Sequence, residues 1–318
     1  MNTVFDTLRA ERVLGFGGAG IGNLYRQMSD GVARQTLQAA WNGGVRYFDT
    51  APHYGLGLSE RRIGEFLADK PREDFLISTK VGRLIVPNPD YRDGQTDDEG
   101  FDVPKTSIRE WDPSESGIRR SLEESLERLG LDSVDILYLH DPDVYDLEAG
   151  IAQGLPALEK LRSEGLVKAI GVGANTVDTL VESVRRADLD LIMLAGRYTL
   201  LEQPAAETLL PLCSERGVGV VNVGVYNSGL LARDEVPEDA NYNYAQAPAA
   251  IIERARRLAA VCHDFGVSLP AAAVQFSYQN PVVAAVALGA SSAGQMDENL
   301  RRFDADIPAE LWDALAKV

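Results

Sequence analysis

Cysteine is nearly absent: 318 residues contain two, Cys213 and Cys262, each inside an apolar helix-like stretch and with no CxxC spacing. That excludes a disulfide framework and suggests a reducing compartment. Histidine is also scarce, with three in the chain. None is spaced as HxxxH, so a site built from His53, Asp49 and His140 is rejected and no metal is expected. Positive charge is in deficit. Lys and Arg number 31 against 48 Asp and Glu, and the net charge of −17 argues against nucleic acid or an anionic membrane as partner. No apolar run approaches the roughly 18 residues of a membrane span. Met1–Ala10 lacks the regions of a signal peptide. The expectation is a soluble, cytoplasmic protein acting on a small molecule; oligomeric state is not legible.

What is present is an ordinary globular composition, 45% hydrophobic and 25% charged. Short apolar runs alternate with longer helical patterns. Strands are predicted at Arg12–Gly15, Val45–Asp49, Phe75–Lys80, Val134–His140, Val167–Val172, Leu189–Leu194, Val218–Val223 and Val282–Leu288. Helices are predicted at Gly31–Asn42, Ser59–Leu67, Glu115–Leu129, Gly154–Ser163, Val177–Arg185, Pro204–Arg216 and Ala249–Phe265. Such alternation implies a parallel sheet with right-handed crossovers. Eight units over this length point to a closed α/β barrel, a (β/α)8 TIM barrel, rather than the open α/β sheet that is its rival. Two stretches break the rhythm: Val81–Pro113, and Gly229–Pro248 with Tyr242 and Tyr244. Both are read as long loops at the C-terminal mouth. No linker or repeat divides residues 1–318, which read as one domain.

Polar residues at the C-terminal ends of barrel strands line active sites. Asp49 ends one predicted strand, Lys80 the next and His140 a third, while Tyr54 follows Asp49 in the loop DTAPHYG. Singly they read as a helix cap, a solvated strand end, a core histidine and a packed aromatic. Together they suit proton transfer at an alcohol or carbonyl. A tyrosine hydroxyl titrates near ~10, and a nearby ammonium lowers that value. A buried carboxylate keeps the ammonium charged, and an imidazole orients the substrate oxygen. Hydride must come from a cofactor, because no side chain supplies it. Gly15-Phe16-Gly17-Gly18-Ala19-Gly20 satisfies GxGxxG, but Ile21–Met28 does not read as the helix that a dinucleotide fingerprint requires.

The runs GGVRYFDTAPHYGLGLSERRIGEFL, FLISTK, SLERLGLDSVDILYLHDPD and LEKLRSEGLVKAIGVGANT resemble the aldo-keto reductase superfamily over essentially the whole chain. The resemblance implies a catalytic tetrad of Asp49, Tyr54, Lys80 and His140. Tyr54 would be the acid in reduction and the base in oxidation, Lys80 would depress its pKa, and Asp49 would pair with Lys80. It also implies a dinucleotide extended across the mouth. Tyr226 would stack on the nicotinamide, and the turn from Asn227 through Ser228 to Leu230 would line the pyrophosphate. In ALGASSAGQMDENL, the segment Gly289, Ser291, Ser292 and Gln295 would hold the adenosine ribose, and Glu298 and Asn299 the adenine.

Three departures from the family pattern carry information. Relatives selective for a 2′-phosphate place Lys or Arg between Gly289 and Asn299. None stands here, so NAD is expected over NADP, and oxidation over reduction. The carboxamide motif keeps Asn175 but has Ala174 and Ala195 where Ser and Gln are usual, with Arg197 nearby as a substitute or a surface ion pair. The runs LAGRYTLLEQ and VYNSGLLA resemble the branch of D-threo-aldose, L-fucose and pyridoxal dehydrogenases. Oxidation of an aldose at C1 to its lactone is therefore expected, with pyridoxal as the near alternative. Asp141 and Trp111 are candidates for hydroxyl binding and ring stacking. An NADPH-dependent carbonyl reductase and a non-catalytic channel-associated subunit are the rival readings.

Overall fold

The computed structural model describes Val4, Thr7, Leu8, residues 12–243 and residues 245–318. Most of Met1–Ala10, and Tyr244, lie outside the described residues. Eight parallel strands close a barrel: β1 (Val13–Gly17), β2 (Tyr47–Asp49), β3 (Leu76–Val81), β4 (Val134–His140), β5 (Val167–Ala174), β6 (Leu191–Ala195), β7 (Gly219–Val223) and β8 (Val283–Gly289). Each pairs with its neighbours in sequence, and β1 closes onto β8 with Gly17 opposite Gly289. The protein is thus an α/β protein with the (β/α)8 topology.

Side chains alternate across a strand with a period of two, so every second residue enters the lumen. Tyr47, Ile136, Tyr138, Ala169, Leu191, Met193, Val221, Ala285 and Ala287 fill it as one buried cluster. Continuing the alternation to the C-terminal edge yields one residue per strand: Gly17, Asp49, Lys80, His140, Gly173, Ala195, Val223 and Gly289. All eight line one cavity of about 600 Å³. Three of these positions carry ionisable groups, and the other five are small or aliphatic. The same alternation that packs the barrel therefore builds the floor of its mouth.

The outward faces pack against α1 (Asp30–Asn42), α2 (Leu58–Leu67), α3 (Glu115–Leu129), α4 (Leu155–Ser163), α5 (Val177–Arg186), α6 (Leu209–Arg216), α7 (Ala249–Asp264), α8 (Leu269–Phe276), α9 (Ala293–Phe303) and α10 (Ala309–Leu315). Ser29, Ser114 and Ser292 accept from backbone N–H groups in the first turns of α1, α3 and α9, which fixes those starts. Three helices, α8, α9 and α10, are absent from the predicted set, and one predicted helix breaks. The run LPAAAVQF forms α8, missed because seven of its eight residues are buried and show no amphipathic period. The helix predicted from Pro204 breaks at Thr208, whose φ and ψ of −126° and −50° are not helical. Val81–Pro113 is not all loop either. Arg83–Pro87 pairs antiparallel with Ser107–Trp111, and too many residues separate the two for a hairpin signal. Among the described residues no helix is long and apolar enough to cross a membrane.

Candidate active site

Lys80 is the centre of the site. Its side chain is 2% exposed, and its Nζ donates to Asp49 Oδ2 at 2.7 Å, the Thr50 carbonyl at 2.9 Å and the Tyr54 hydroxyl at 3.0 Å. Asp49 Oδ1 accepts from Ser78 Oγ at 2.7 Å, so both carboxylate oxygens are held. Tyr54 is placed by the turn that follows β2, and its ring backs onto Phe101. The His140 ring stands at 89° to the Tyr54 ring with centroids 5.9 Å apart. The structure thus brings Asp49, Tyr54, Lys80 and His140 to one wall of the cavity.

The electrostatics amend one expectation. Burial raises the Tyr54 hydroxyl above its ordinary pKa, and the Lys80 charge opposes that rise without reversing it. Desolvation of a fully enclosed phenol outweighs the ammonium beside it. Tyr54 is a neutral acid at rest. Burial also raises Asp49, against Lys80 and Ser78. For Lys80, burial acts to lower the pKa, but Asp49 and Tyr54 together lift it above normal, so the ammonium stays charged. Burial, with the Arg83 and Lys80 charges, holds His140 well below its usual value as a neutral imidazole, and its Nδ1 is buried without a partner.

The side of the mouth bounded by Gly173, Ala174, Asn175, Ala195, Val223, Gly224 and Gly289 is a shallow trough of small residues. A Cβ on Gly17 would stand 3.4 Å from the Gly289 backbone nitrogen, at van der Waals contact, so β1 and β8 lie close together here. With an amide side chain at its rim, the trough suits a flat ring bearing a carboxamide. Asn175 lines it, and so does Ala195. Arg197 does not enter. It donates to the Asn175 carbonyl at 2.8 Å and to Glu202 at 2.8 Å, clamping the loop that carries Asn175.

Several residues expected at the cofactor bond to their protein neighbours. Tyr226 does not line the cavity; its hydroxyl donates to Asn299 Oδ1 at 3.0 Å and accepts from Arg302. Val223, at the lumen position of β7, lines the mouth instead, because Tyr226 falls in the turn beyond the strand. The turn after it uses several of its own backbone amides. Those of Asn227, Gly229 and Leu230 bond to carbonyls of the turn itself, and Asn227 and Ser228 have positive φ. Leu230 is 1% exposed, with its side chain in the core. Asn227 donates to Glu202 at 3.2 Å. Gly289 does line the mouth, and its carbonyl accepts from Asn299 Nδ2 at 3.2 Å. Ser292 caps α9, Gln295 accepts from the Ser291 hydroxyl, and Glu298 pairs with Arg302. Trp111 is stacked beneath Tyr145 at 4.9 Å and is not open to the cavity, whereas Asp141 is. The glycine motif opens only a three-residue 3-10 turn, Gly20–Gly22.

Sequence reasoning missed Arg83, 4% exposed on the cavity wall, and Arg26, whose guanidinium reaches Ser291 from the loop after β1. The Lys-Val-Gly-Arg run ending at Arg83 was its only available signal.

The model of the aldo/keto reductase family matches residues 13–318. The chain is 53% identical to D-threo-aldose 1-dehydrogenase of a Pseudomonas species, over 96% of this chain and 93% of that one. It is 38% identical to pyridoxal 4-dehydrogenase of Microbacterium luteolum, covering 95% and 92%. An aldo-keto reductase of Bacillus halodurans in its holo form superposes with a TM-score of 0.75 at 29% identity, covering 96% and 91%. The chain belongs to the aldo/keto reductase family of oxidoreductases, which work with a nicotinamide dinucleotide.

Proposed function

We propose that the protein is an NAD-dependent dehydrogenase that oxidises the C1 hydroxyl of a cyclic aldose to the lactone. One observation carries the reading: the Lys80 ammonium touches both the buried Asp49 carboxylate and the Tyr54 hydroxyl on the wall of the cavity at the barrel mouth. The relative named as an aldose dehydrogenase supports the substrate class. Tyr54, Lys80, Asp49 and His140 are the proposed catalytic residues. In its phenolate form, which the Lys80 ammonium stabilises, Tyr54 Oη takes the proton from the substrate hydroxyl and becomes the phenol. Asp49 and the Thr50 carbonyl hold Lys80 in place. Neutral His140 gives its N–H to the substrate oxygen and fixes its approach. A bound nicotinamide supplies the acceptor for the hydrogen that leaves C1 with its electron pair. Asn175 would hold its carboxamide, and Gly289 through Asn299 its adenosine end.

NAD rather than NADP is proposed because Gly289 to Asn299 contains no cation and Arg26 brings only one, at the surface. Aldoses and pyridoxal, offered with each dinucleotide, test the proposal through formation of reduced nicotinamide, with the product identified by mass. Turnover of an aldose to its lactone with NAD is the expected result. Oxidation of pyridoxal alone would overturn the sugar assignment and leave the family membership intact.

A further inference from the structure

Two charged side chains on the cavity wall stand beside the proposed catalytic four, Arg83 and Asp141, whose Oδ2 lies 3.4 Å from His140 Nε2. Arg83 follows β3 directly, beyond Gly82, whose φ of 103° turns the chain into the mouth. Asp141 follows His140, with φ 42° and ψ 58°, and its backbone N–H is tied to the Gly173 carbonyl at 2.8 Å. Arg83 Nη2 donates to Asp141 Oδ2 at 2.7 Å. The guanidinium lies over the Tyr145 ring at 5.3 Å, which closes its outer face.

As a structural pair this arrangement is poor. The side chains are 5% and 15% exposed, so both charges are largely removed from water. Arg83 Nε is buried without a partner. Buried polar atoms are otherwise satisfied in folded proteins, and orphans cost free energy. Asp141 also holds a left-handed backbone conformation that non-glycine residues rarely adopt. Orphaned donors and local strain on a cavity wall mark a site kept ready for a ligand. His53 and His140 line the same cavity, and the Nδ1 atom of each is buried without a hydrogen bond, that of His53 lying 3.7 Å from Glu99 Oε2.

The ligand's chemistry follows from the charges. Arg83 alone would suit a phosphate or carboxylate, but Asp141 is bonded to it and Glu99 also lines the cavity. An anion would meet two carboxylates there. A hydroxyl group both donates and accepts. Two adjacent hydroxyls can therefore give a hydrogen to Asp141 and accept one from Arg83 at once. We propose that Arg83 and Asp141 form a single subsite that reads two neighbouring hydroxyls of a neutral, unphosphorylated sugar ring poised with its reacting carbon over Tyr54. This rests on the aldose reading above and names what selects the sugar.

The test compares wild type with Asp141→Asn and Arg83→Lys, at saturating NAD, on the best aldose and each of its monodeoxy forms. Asp141→Asn keeps side-chain volume, and circular-dichroism melting with dinucleotide titration checks that each variant is folded. In wild type, removing a hydroxyl that the pair reads costs about tenfold or more in kcat/KM, mainly through KM, because the site's polar groups are left unpaired. In the variants the same deletion costs less than about threefold, the non-additivity expected of groups in contact. An unchanged deoxy penalty in both variants, or a uniform loss of kcat on every substrate, overturns the inference while leaving the aldose reading standing. Failure of wild type to oxidise any sugar overturns the aldose reading itself, and this subsite with it.

Discussion

The Arg26 guanidinium, on the loop between β1 and α1, donates to the Ser291 hydroxyl 265 residues away at the end of β8. Ser291 also donates to Gln295 at 2.6 Å, so the three side chains form one polar edge where an adenosine ribose is proposed to lie. This edge holds a single exposed guanidinium. A phosphate dianion is bound best by several cations in bidentate geometry, and one solvent-screened partner is weak. Fluorescence quenching should therefore show tighter binding of NAD than of NADP. Arg26→Ala should widen the gap about fivefold by removing the one cation able to meet a 2′-phosphate. Tighter binding of NADP by wild type would sink the NAD assignment.

This edge also shows why some of the site was hidden in the sequence. Asp49, Lys80 and His140 were legible because the period of two along β2, β3 and β4 leads to the mouth, and strand ends are local signals. Arg26 and Arg83 were not, because their positions depend on where loops fold back. Tyr226 lies off the cavity wall for a related reason: a few residues beyond a strand end its side chain turns to the α9 side, where its hydroxyl bonds Asn299. The turn from Asn227 to Leu230 looked rich in amides by composition. Only its folded path shows them already bonded.

A pH profile should separate the two directions of reaction. Oxidation needs Tyr54 as phenolate, and burial raises its pKa above the ordinary value. The active fraction then grows about tenfold per pH unit between roughly 7 and 10, and kcat/KM for oxidation rises with it. Reduction uses the phenol, already the dominant form, and stays flat over the same range. Tyr54→Phe should lower both directions on the order of 10²–10⁴-fold and abolish the rising limb. A profile for oxidation that is flat from neutrality upward would mean another group takes the proton.

Acid stability should report the two cavity histidines. Burial, then the Arg83 and Arg109 charges, lowers His53 to about 2, and burial with Arg83 and Lys80 holds His140 well below 6.5. Both are neutral when folded, and both take up a proton when unfolded below about 6.5. The unfolded state binds more protons in that window, so stability is full above it and falls with pH below it. Each histidine contributes a slope of roughly 1.4 kcal/mol per pH unit. Urea unfolding at pH 6.5 and pH 5 should show His53→Gln losing ~2 kcal/mol less than wild type over that interval. Equal losses would mean that His53 titrates normally.

Helices α2 and α3 meet at Gly64, where an added Cβ would lie 2.1 Å from the Leu129 carbonyl oxygen. The obstacle is backbone, so no rotamer change relieves it. Gly64→Ala should cost about 1–3 kcal/mol, the range for overpacking, despite alanine's better helix propensity. A melting temperature at or above wild type would show that the two helices slide apart freely.

Arg197 offers the means to separate positioning from chemistry. Its Nε holds the Asn175 carbonyl at 2.8 Å, and its Nη1 reaches Glu202 at 2.8 Å and Asn243 at 3.1 Å. Glu202 in turn accepts from the Tyr242 hydroxyl at 2.6 Å and from Asn227. One carboxylate and one guanidinium thus join the loops after β5, β6 and β7. Asn175 is the proposed partner of the carboxamide; its loop is also tied at Thr176, whose hydroxyl donates to Asp143 at 2.9 Å, but Arg197 holds the Asn175 carbonyl itself. Arg197→Ala frees that loop, so the ordering of Asn175 must occur on binding and subtract from affinity. The dissociation constant for NAD should rise about five- to tenfold, by roughly 1–1.4 kcal/mol, with a smaller change in kcat at saturation. Arg197→Lys should rescue little, because a single ammonium cannot span both the carbonyl and Glu202. A lowered melting temperature with unchanged affinity for NAD would reduce Arg197 to a purely structural tie and leave Asn175 held by β5 and the Thr176 tie.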